Sequence, residues 1–554
     1  MKSTQGKNII REIESGVARA TAVVVPEHSQ LINNDQKWTK PMIWAVIVVT
    51  FSTSFVMGVN TGGPSLYNGF ITPWLRGYPF PCQKEGSTSQ WIATVWSGCD
   101  YIHTASKNEN GYYYLPAVPK SQRVTQNFLD SLHGIVFVIG AAVGGFTGQY
   151  WYLCLTRRNA LLMAMLFQIM ASILMICALP IYHGYDLNDP TLLQIKQALD
   201  NKELAIALFY ISRFLSGYSA GLTCVVTPIY LTDISPRTMR GEIVTYHQLL
   251  IVIGILVGQV VSLPWLLGQH DKWNWGMGWV GVFPLIGCLS VWTLHESPRW
   301  LAQERRGPEA AEILRSLRQT NQIGAELEEI ERQEATVSSQ DASLIRLFTS
   351  PRFRWPLITS LFVSGSAQLS GINSVFYYCG PTLATMGFVD EKVYWGGLST
   401  GLTNLVATIA SIKLIEKFGR RPLVVYPLAL TVIIMILLCV FLQINPERLA
   451  IETLLLILLY IALFAVGPGP IPFLYPNEVF AISIRPVAHS VTIFFIFLTN
   501  LMVVILFPLI QSAFGGYVFL VFCVCSLVSF VFLFLKMPET KCKNLAEIED
   551  FWGE

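Results

Sequence analysis

Residues 367 to 378 read AQLSGINSVFYY and set two amides, Gln368 and Asn373, among leucine, isoleucine, valine and phenylalanine. A carboxamide carries a donor and an acceptor in one uncharged group. Buried in hydrocarbon without partners, such a group costs about 2 to 7 kcal/mol on transfer scales. These amides must therefore face protein or a wet cavity. Gln248, Asn404 and Asn500 are set in the same way in other apolar stretches. Two roles are open to them: hydrogen bonds between helices, worth roughly 1 kcal/mol each, or a neutral hydrogen-bonding site. Nothing in the chain has the arrangement of nucleophile, base and oxyanion donors that catalysis needs, and no metal-ligand spacing occurs, so no enzyme, metal or cofactor is expected.

The elements that position these amides follow from composition. Of 554 residues, 52% are hydrophobic and 13% charged, with a mean hydropathy of +0.48; a soluble domain carries about a quarter charged residues. Apolar runs long enough to cross a bilayer, about 20 residues each, begin near 41, 131, 158, 204, 243, 276, 356, 394, 422, 450, 487 and 515. The sequence therefore predicts an all-α membrane protein with twelve spans. A net charge of +2 and the lack of a long basic tract argue against a nucleic-acid partner. Arg157, Arg158, Arg237, Arg240, Lys417, Arg420, Arg421, Arg485, Lys536, Lys541 and Lys543 fall in even-numbered connections or the tail. By the positive-inside rule both termini are cytoplasmic. The polar first 40 residues lack a signal-peptide core, and no cleaved leader is expected.

Two polar segments divide the chain. Residues 1–40 form a cytoplasmic tail, and 41–296 form a first half of six helices with an extracellular loop at about 72–128. Residues 297–353 form a cytoplasmic linker whose charged stretches EAAEILRSLRQ and AELEEIERQEA read as short helices. A second six-helix half covers 354–537, and a tail 538–554. Repeated signatures support two halves: TDISPRTMRGE after span four answers NEVFAISIRP six spans later, TRRN answers EKFGRRP, and HESPRWL answers MPETKCKNLAEIEDF. Eleven cysteines are scattered, most of them inside spans; Cys82 and Cys99 alone share the outside loop, where an oxidising compartment allows a disulfide. No Asn-x-Ser/Thr sequon occurs.

Local punctuation refines the spans. Gln368 and Asn373 are five residues apart, about 140° around an ideal helix, so an unbroken helix would not aim both at one point. Gly371 permits a break between them. GPGPIPFLYPNE carries Pro468, Pro470, Pro472 and Pro476 within one span, each removing a donor, while Gly467 and Gly469 free the backbone to bend. Gly140, Gly144 and Gly148, at four-residue spacing, read as a helix-packing stripe.

The stretches RFLSGYSAGLTCVVTPIYLTDISPRTMRGE, HQLLIVIGILVGQV, ESPRWL, QLSGINSVFYY, EKFGRRP, GPGPIP and PETK occur in one order along nearly the whole chain. In these the sequence resembles sugar porters of the major facilitator superfamily, and most closely the facilitative glucose transporters. The resemblance implies the major facilitator fold, in the plasma membrane, and a sugar, a hexose, as partner besides the lipid bilayer. It places Gln248, Ile251, Gln368, Asn373, Asn404, Phe473 and Asn500 at the sugar. It makes Gly371, Tyr377 and Tyr378 part of an outer gate and Gly467, Pro468, Gly469, Pro470 and Pro472 a hinge. It also implies that Asp233, Arg240, Glu296, Arg299, Glu416, Arg420, Arg421, Glu478 and Arg485 form a cytoplasmic ion-pair network tying the halves together when the cavity faces outward.

The chain departs from the family pattern at several places. Ala367 stands where a second glutamine is expected, Ala465 in place of an acid, Phe473 in place of tryptophan, and Ile496 and Phe497 in place of asparagine and tryptophan. The pocket is more apolar than the family norm, which implies weaker binding of glucose or a different hexose or polyol. Asn60 lies where proton-coupled members carry an aspartate, and an amide cannot cycle a proton. A facilitative uniporter is the resulting expectation; a proton-coupled symporter and a non-transporting sugar sensor are the alternatives. The oligomeric state is not encoded in any recognisable way.

Overall fold

A computed structural model describes residues 38–64, 67, 71, 74–75, 120–181, 192–335 and 343–553, apart from 237–238, 264, 270–271, 378–382, 384–387, 389–390, 445–447, 482–483, 515–516, 542 and 544. Cys82, Cys99 and Tyr378 lie outside the described residues. The first half comprises α1 (Lys40–Gly62), α2 (Lys120–Cys154), α3 (Arg157–Ile181), α4 (Leu192–Ile234), α5 (Arg240–Val261) and α6 (Trp273–Thr293). Between the halves run α7 (Pro298–Gln303), α8 (Gly307–Arg318), α9 (Gly324–Ala335) and α10 (Leu344–Thr349). The second half comprises α11 (Pro351–Leu369), α12 (Ile372–Tyr377), α13 (Glu391–Phe418), α14 (Arg420–Ile444), α15 (Ala450–Val466), α16 (Ile471–Val479), α17 (Arg485–Phe514) and α18 (Val518–Lys536), with α19 (Leu545–Gly553) after it.

Among the described residues, 11 helical segments are long and apolar enough to cross a membrane. The twelfth crossing is α11 with α12. It escapes the count because α11 begins with Arg352 and Arg354 and ends in serine and glutamine, while α12 is a six-residue continuation. The chain breaks between them at Gly371, whose φ of 83° is left-handed. A β-carbon there would also stand 2.6 Å from the Phe522 ring. Two independent reasons thus make this position a glycine.

A break frees a carbonyl, and in a membrane interior it must find a donor. The Tyr460 hydroxyl of α15, fully buried, donates to the Ser370 carbonyl at 2.9 Å and lies 3.1 Å from the Ser370 hydroxyl. One tyrosine therefore fixes the end of α11 to the neighbouring broken crossing. Tyr460→Phe strands that carbonyl and is expected to destabilise the transmembrane bundle by about 1–3 kcal/mol. Thermal unfolding of the purified variant in detergent checks this; an unchanged midpoint would mean that the break is held by packing alone.

Helix packing follows the small residues. A β-carbon on Gly140 would meet the Phe214 carbonyl at 2.2 Å, and one on Gly144 the Tyr218 carbonyl at 2.1 Å, so α2 and α4 touch along the glycine stripe. The halves meet along two seams. Gly145 of α2 faces Ile493 and Phe494 of α17, and Gly401 of α13 faces Leu256 and Gln259 of α5. Asn404 lies one turn from Gly401 on α13, and Asn500 two turns from Ile493 on α17.

Candidate functional site

Local breaks and turns aim the predicted side chains. In α1 the hydroxyls of Thr50, Ser52 and Thr53 donate to carbonyls one turn back, each at 2.7 Å. Such back-bonding competes with the helical ladder, and residues Thr50–Phe55 form a wider π-helical turn. The turn brings Thr53 Oγ1 to 3.0 Å from Thr227 Oγ1, and Ser54 Oγ to 2.7 Å from His247 Nδ1. A buried polar layer thereby runs from α1 through α4 to α5.

Gln248 and Ile251 are buried on one face of α5. The Gln248 Nε2 stands 3.6 Å from where a β-carbon of Gly469 would be, so it reaches the break between α15 and α16. That break is built by the sequence GPGP. Gly467 leaves the helical region at φ −141° and ψ −65°, and Pro468, Pro470 and Pro472 cannot donate. The Gly469 N–H reaches back to Phe464 O at 2.9 Å, and Ile471 N–H to Gly467 O at 3.2 Å. Phe473, just inside α16, sets its ring edge-on to His247 with centroids 5.2 Å apart.

Asn404 on α13 and Asn500 on α17 are buried, and the Oδ1 of each has no hydrogen-bond partner among the described residues. An unsatisfied interior acceptor is costly, and a ligand hydroxyl would satisfy it. Gln368 and Asn373 are half-buried and bond each other, Asn373 Nδ2 donating to Gln368 Oε1. The break at Gly371 thus brings together two amides that an unbroken helix would splay. Tyr377 ends α12. Ala367, Ala465, Ile496 and Phe497 are all buried, and Ile496 and Phe497 pack with Met57 and Phe473 in one apolar cluster. The substituted positions line the interior as hydrocarbon.

Gln259 was not read from the sequence. It is buried, its Oε1 has no partner among the described residues, and it fills the notch at Gly401, one turn from Asn404. The signal was present: Gln259 follows Gln248 by eleven residues, about 20° off the same face on a 100° helix. It lies about 16 Å further along the helix at 1.5 Å per residue. Asn60 is buried and donates from Nδ2 to Val56 O at 3.1 Å, while Arg213 lies over the Phe137 ring.

The charged residues form two matching clusters at the arginine-rich end. In the first half Asp233 faces Arg157 at 4.0 Å and accepts from Ser297 Oγ at 2.8 Å, and Glu296 accepts the Arg158 and Ser297 backbone N–H groups. In the second half Glu478 pairs with Arg420 at 2.8 Å and accepts from Thr540 Oγ1 at 2.5 Å. Glu539 accepts the backbone N–H groups of Arg420 and Arg421. Each of these pairs joins elements of one half. The sequence expects the network to tie the halves together; the pairs named so far anchor each half's exit segment to its own helix ends. Between halves, Gly241 of α5 packs against Glu416 and Arg420, and Arg240 lies within electrostatic reach of Arg299, Arg485 and Asp233.

Residues 90–552 match the family model described as "Sugar (and other) transporter". The chain belongs to this sugar transporter family. This sugar transporter is 30% identical over 517 residues to "Solute carrier family 2, facilitated glucose transporter member 3" of Ovis aries, covering 92% of each chain. It is 30% identical over 428 residues to member 1 of Gallus gallus, covering 76% of this chain and 82% of that protein. Among solved structures it resembles the proton:xylose symporter XylE bound to 6-bromo-6-deoxy-D-glucose, with a TM-score of 0.71, 21% identity and coverage of 92% and 99%. A partially occluded inward-open form of XylE from E. coli gives a TM-score of 0.67 at 20% identity. At that identity the structures speak for the transporter's fold.

Proposed function

We propose that this transporter is a facilitative uniporter that carries a hexose, D-glucose or a close relative, down its gradient by alternating access. The observation that carries the reading is the set of neutral amides in the interior: Asn404 and Asn500 with unsatisfied acceptors, and Gln248 reaching from the first half to the break in the second. Hydroxyls of an uncharged sugar satisfy such groups without bringing a charge into the membrane. Neutral contacts of about 1 kcal/mol each also let the sugar leave. The two seams between halves and the breaks at Gly371 and Gly467 to Pro472 supply the parts for rocking and gating. Asn60, hydrogen-bonded as an amide within α1, supports uniport over proton symport. The arginine-rich end faces the cytoplasm by the positive-inside rule, which puts both termini inside at the plasma membrane.

Counterflow of labelled D-glucose into proteoliposomes, with L-glucose as control and with fructose, galactose and polyols as competitors, tests the reading. Stereospecific, protonophore-insensitive counterflow is expected; its absence for every sugar, from folded protein, would remove it. Gln248→Ala and Asn373→Ala are each expected to raise the half-saturating sugar concentration about 3- to 10-fold, the loss of one neutral hydrogen bond of about 0.5–1.5 kcal/mol. Surface expression should stay unchanged. Unaltered saturation in both variants would take these residues out of the site.

A further inference from the structure

Pro228 lies inside α4. In a helix the N–H of residue 228 would bond the carbonyl of Cys224, but proline has none. That carbonyl is instead met from the other half of the molecule: His489 Nε2 of α17 lies 3.1 Å from Cys224 O. A carbonyl only accepts, so Nε2 carries the proton, and in neutral His489 the Nδ1 is a bare lone pair. Both residues are fully buried, and Nδ1 has no partner among the described residues. His489 lies one turn from Arg485, at the arginine-rich end, so this bond joins the two halves there.

We infer that His489 is a positioning residue for the transport cycle: neutral, it latches α17 to the vacant carbonyl of α4 and holds the arginine-rich end closed, and its protonation releases the latch. Protonation puts a second N–H and a positive charge where no acceptor waits, a costly arrangement in the interior. The titratable groups around it give no relief. Arg485 on its own helix is cationic, His247 on α5 is a second imidazole, and Cys224 on α4 offers a buried thiol. Gly145 and Phe146 of α2 pack one turn further along α17, against Ile493 and Phe494, and Phe473 of α16 packs against His247; none of these three is titratable. Asp233, further along α4, is engaged by Arg157 and Ser297. In the opened state the imidazole meets water and takes its ordinary value of about 6.5. The latch's contribution is therefore present above that value and is lost as pH falls through it. At pH 5.5 the opening equilibrium should rise about tenfold over that at pH 8, the ratio set by one proton binding to the open state only.

The inference rests on alternating access, but its test does not need sugar. Hydrogen exchange of the segments around Cys224 and His489, in lipid nanodiscs, is compared between wild type and His489→Gln at each pH, which cancels the intrinsic pH dependence of exchange. Glutamine keeps an N–H donor and cannot titrate. Wild type is expected to match the variant at pH 8 and to lose about tenfold in protection relative to it at pH 5.5. Superimposable exchange at both pH values would overturn the inference. As a second arm, His489→Leu, which removes the donor, should be less protected than wild type at pH 8; equal protection there also counts against the latch. Glucose counterflow on the same preparations separates the two readings: no counterflow with the exchange difference intact would sink the uniporter and leave the latch standing.

Discussion

Arg420→Met is expected to destabilise the protein by about 3–5 kcal/mol, the scale for removing one partner of a buried charge pair. Arg420 is 5% exposed; its guanidinium meets Glu478 from Nη2 at 2.8 Å and from Nε at 3.1 and 3.2 Å. Methionine fills similar volume but leaves Glu478 with Thr540 as its remaining described side-chain partner. The uncompensated carboxylate, more than the lost attraction, sets the size of the effect. Glu416→Gln provides the contrast on the same arginine: that pair is longer, 3.5 Å, and its carboxylate is 43% exposed. Solvent-screened pairs contribute about 0–1 kcal/mol. Thermal unfolding of both variants in detergent should separate them widely; equal losses would mean that Arg420 acts as a steric wedge beneath Gly241 and not as a counter-charge.

The repeat was legible in the sequence, but the direction of its ion pairs was not. ESPR and PETK sit at equivalent places, and the structure gives them equivalent work: Glu296 and Glu539 each accept the backbone N–H groups at the start of a neighbouring helix. Matching acids and arginines by position alone cannot say whether a pair closes within a half or across it, since that depends on which helix ends are neighbours. The breaks were legible for a local reason. Gln368 and Asn373 conflict with one continuous helix, and Gly371 stands between them; the GPGP run removes donors outright. What holds the first break, Tyr460, lies 90 residues from Ser370 and carries no local mark. Gln259 lay in plain periodicity on the face of Gln248 but became notable only once Gly401 opposed it. The His489 contact is furthest from sequence reasoning, because it needs a missing donor in one helix and a side chain 265 residues away.

Gly467→Ala is expected to cost more than about 4 kcal/mol, beyond the range of ordinary point substitutions. A β-carbon at Gly467 would lie 1.6 Å from the Leu423 carbonyl oxygen and 2.5 Å from its carbon. The obstacle is backbone, so no rotamer change relieves it; α14 and α15 would have to separate, in a region where Leu423 and Ala465 are buried. Gly371→Ala belongs to a gentler class: the left-handed φ of 83° is strained for alanine, but the atoms in the way belong to the Phe522 side chain, which can yield. Gly397→Ala calibrates both. Nothing lies within 4 Å of its β-carbon position in the second turn of α13, so there alanine should stabilise by roughly 0.5–1 kcal/mol through lower chain entropy. One substitution type thus spans both signs, ordered by what the new methyl meets. Yield of monodisperse protein and thermal midpoint for the three variants measure that order. If Gly467→Ala kept a wild-type midpoint while counterflow was lost, the glycine's role would be motion at the hinge, and not the close approach of α15 to α14.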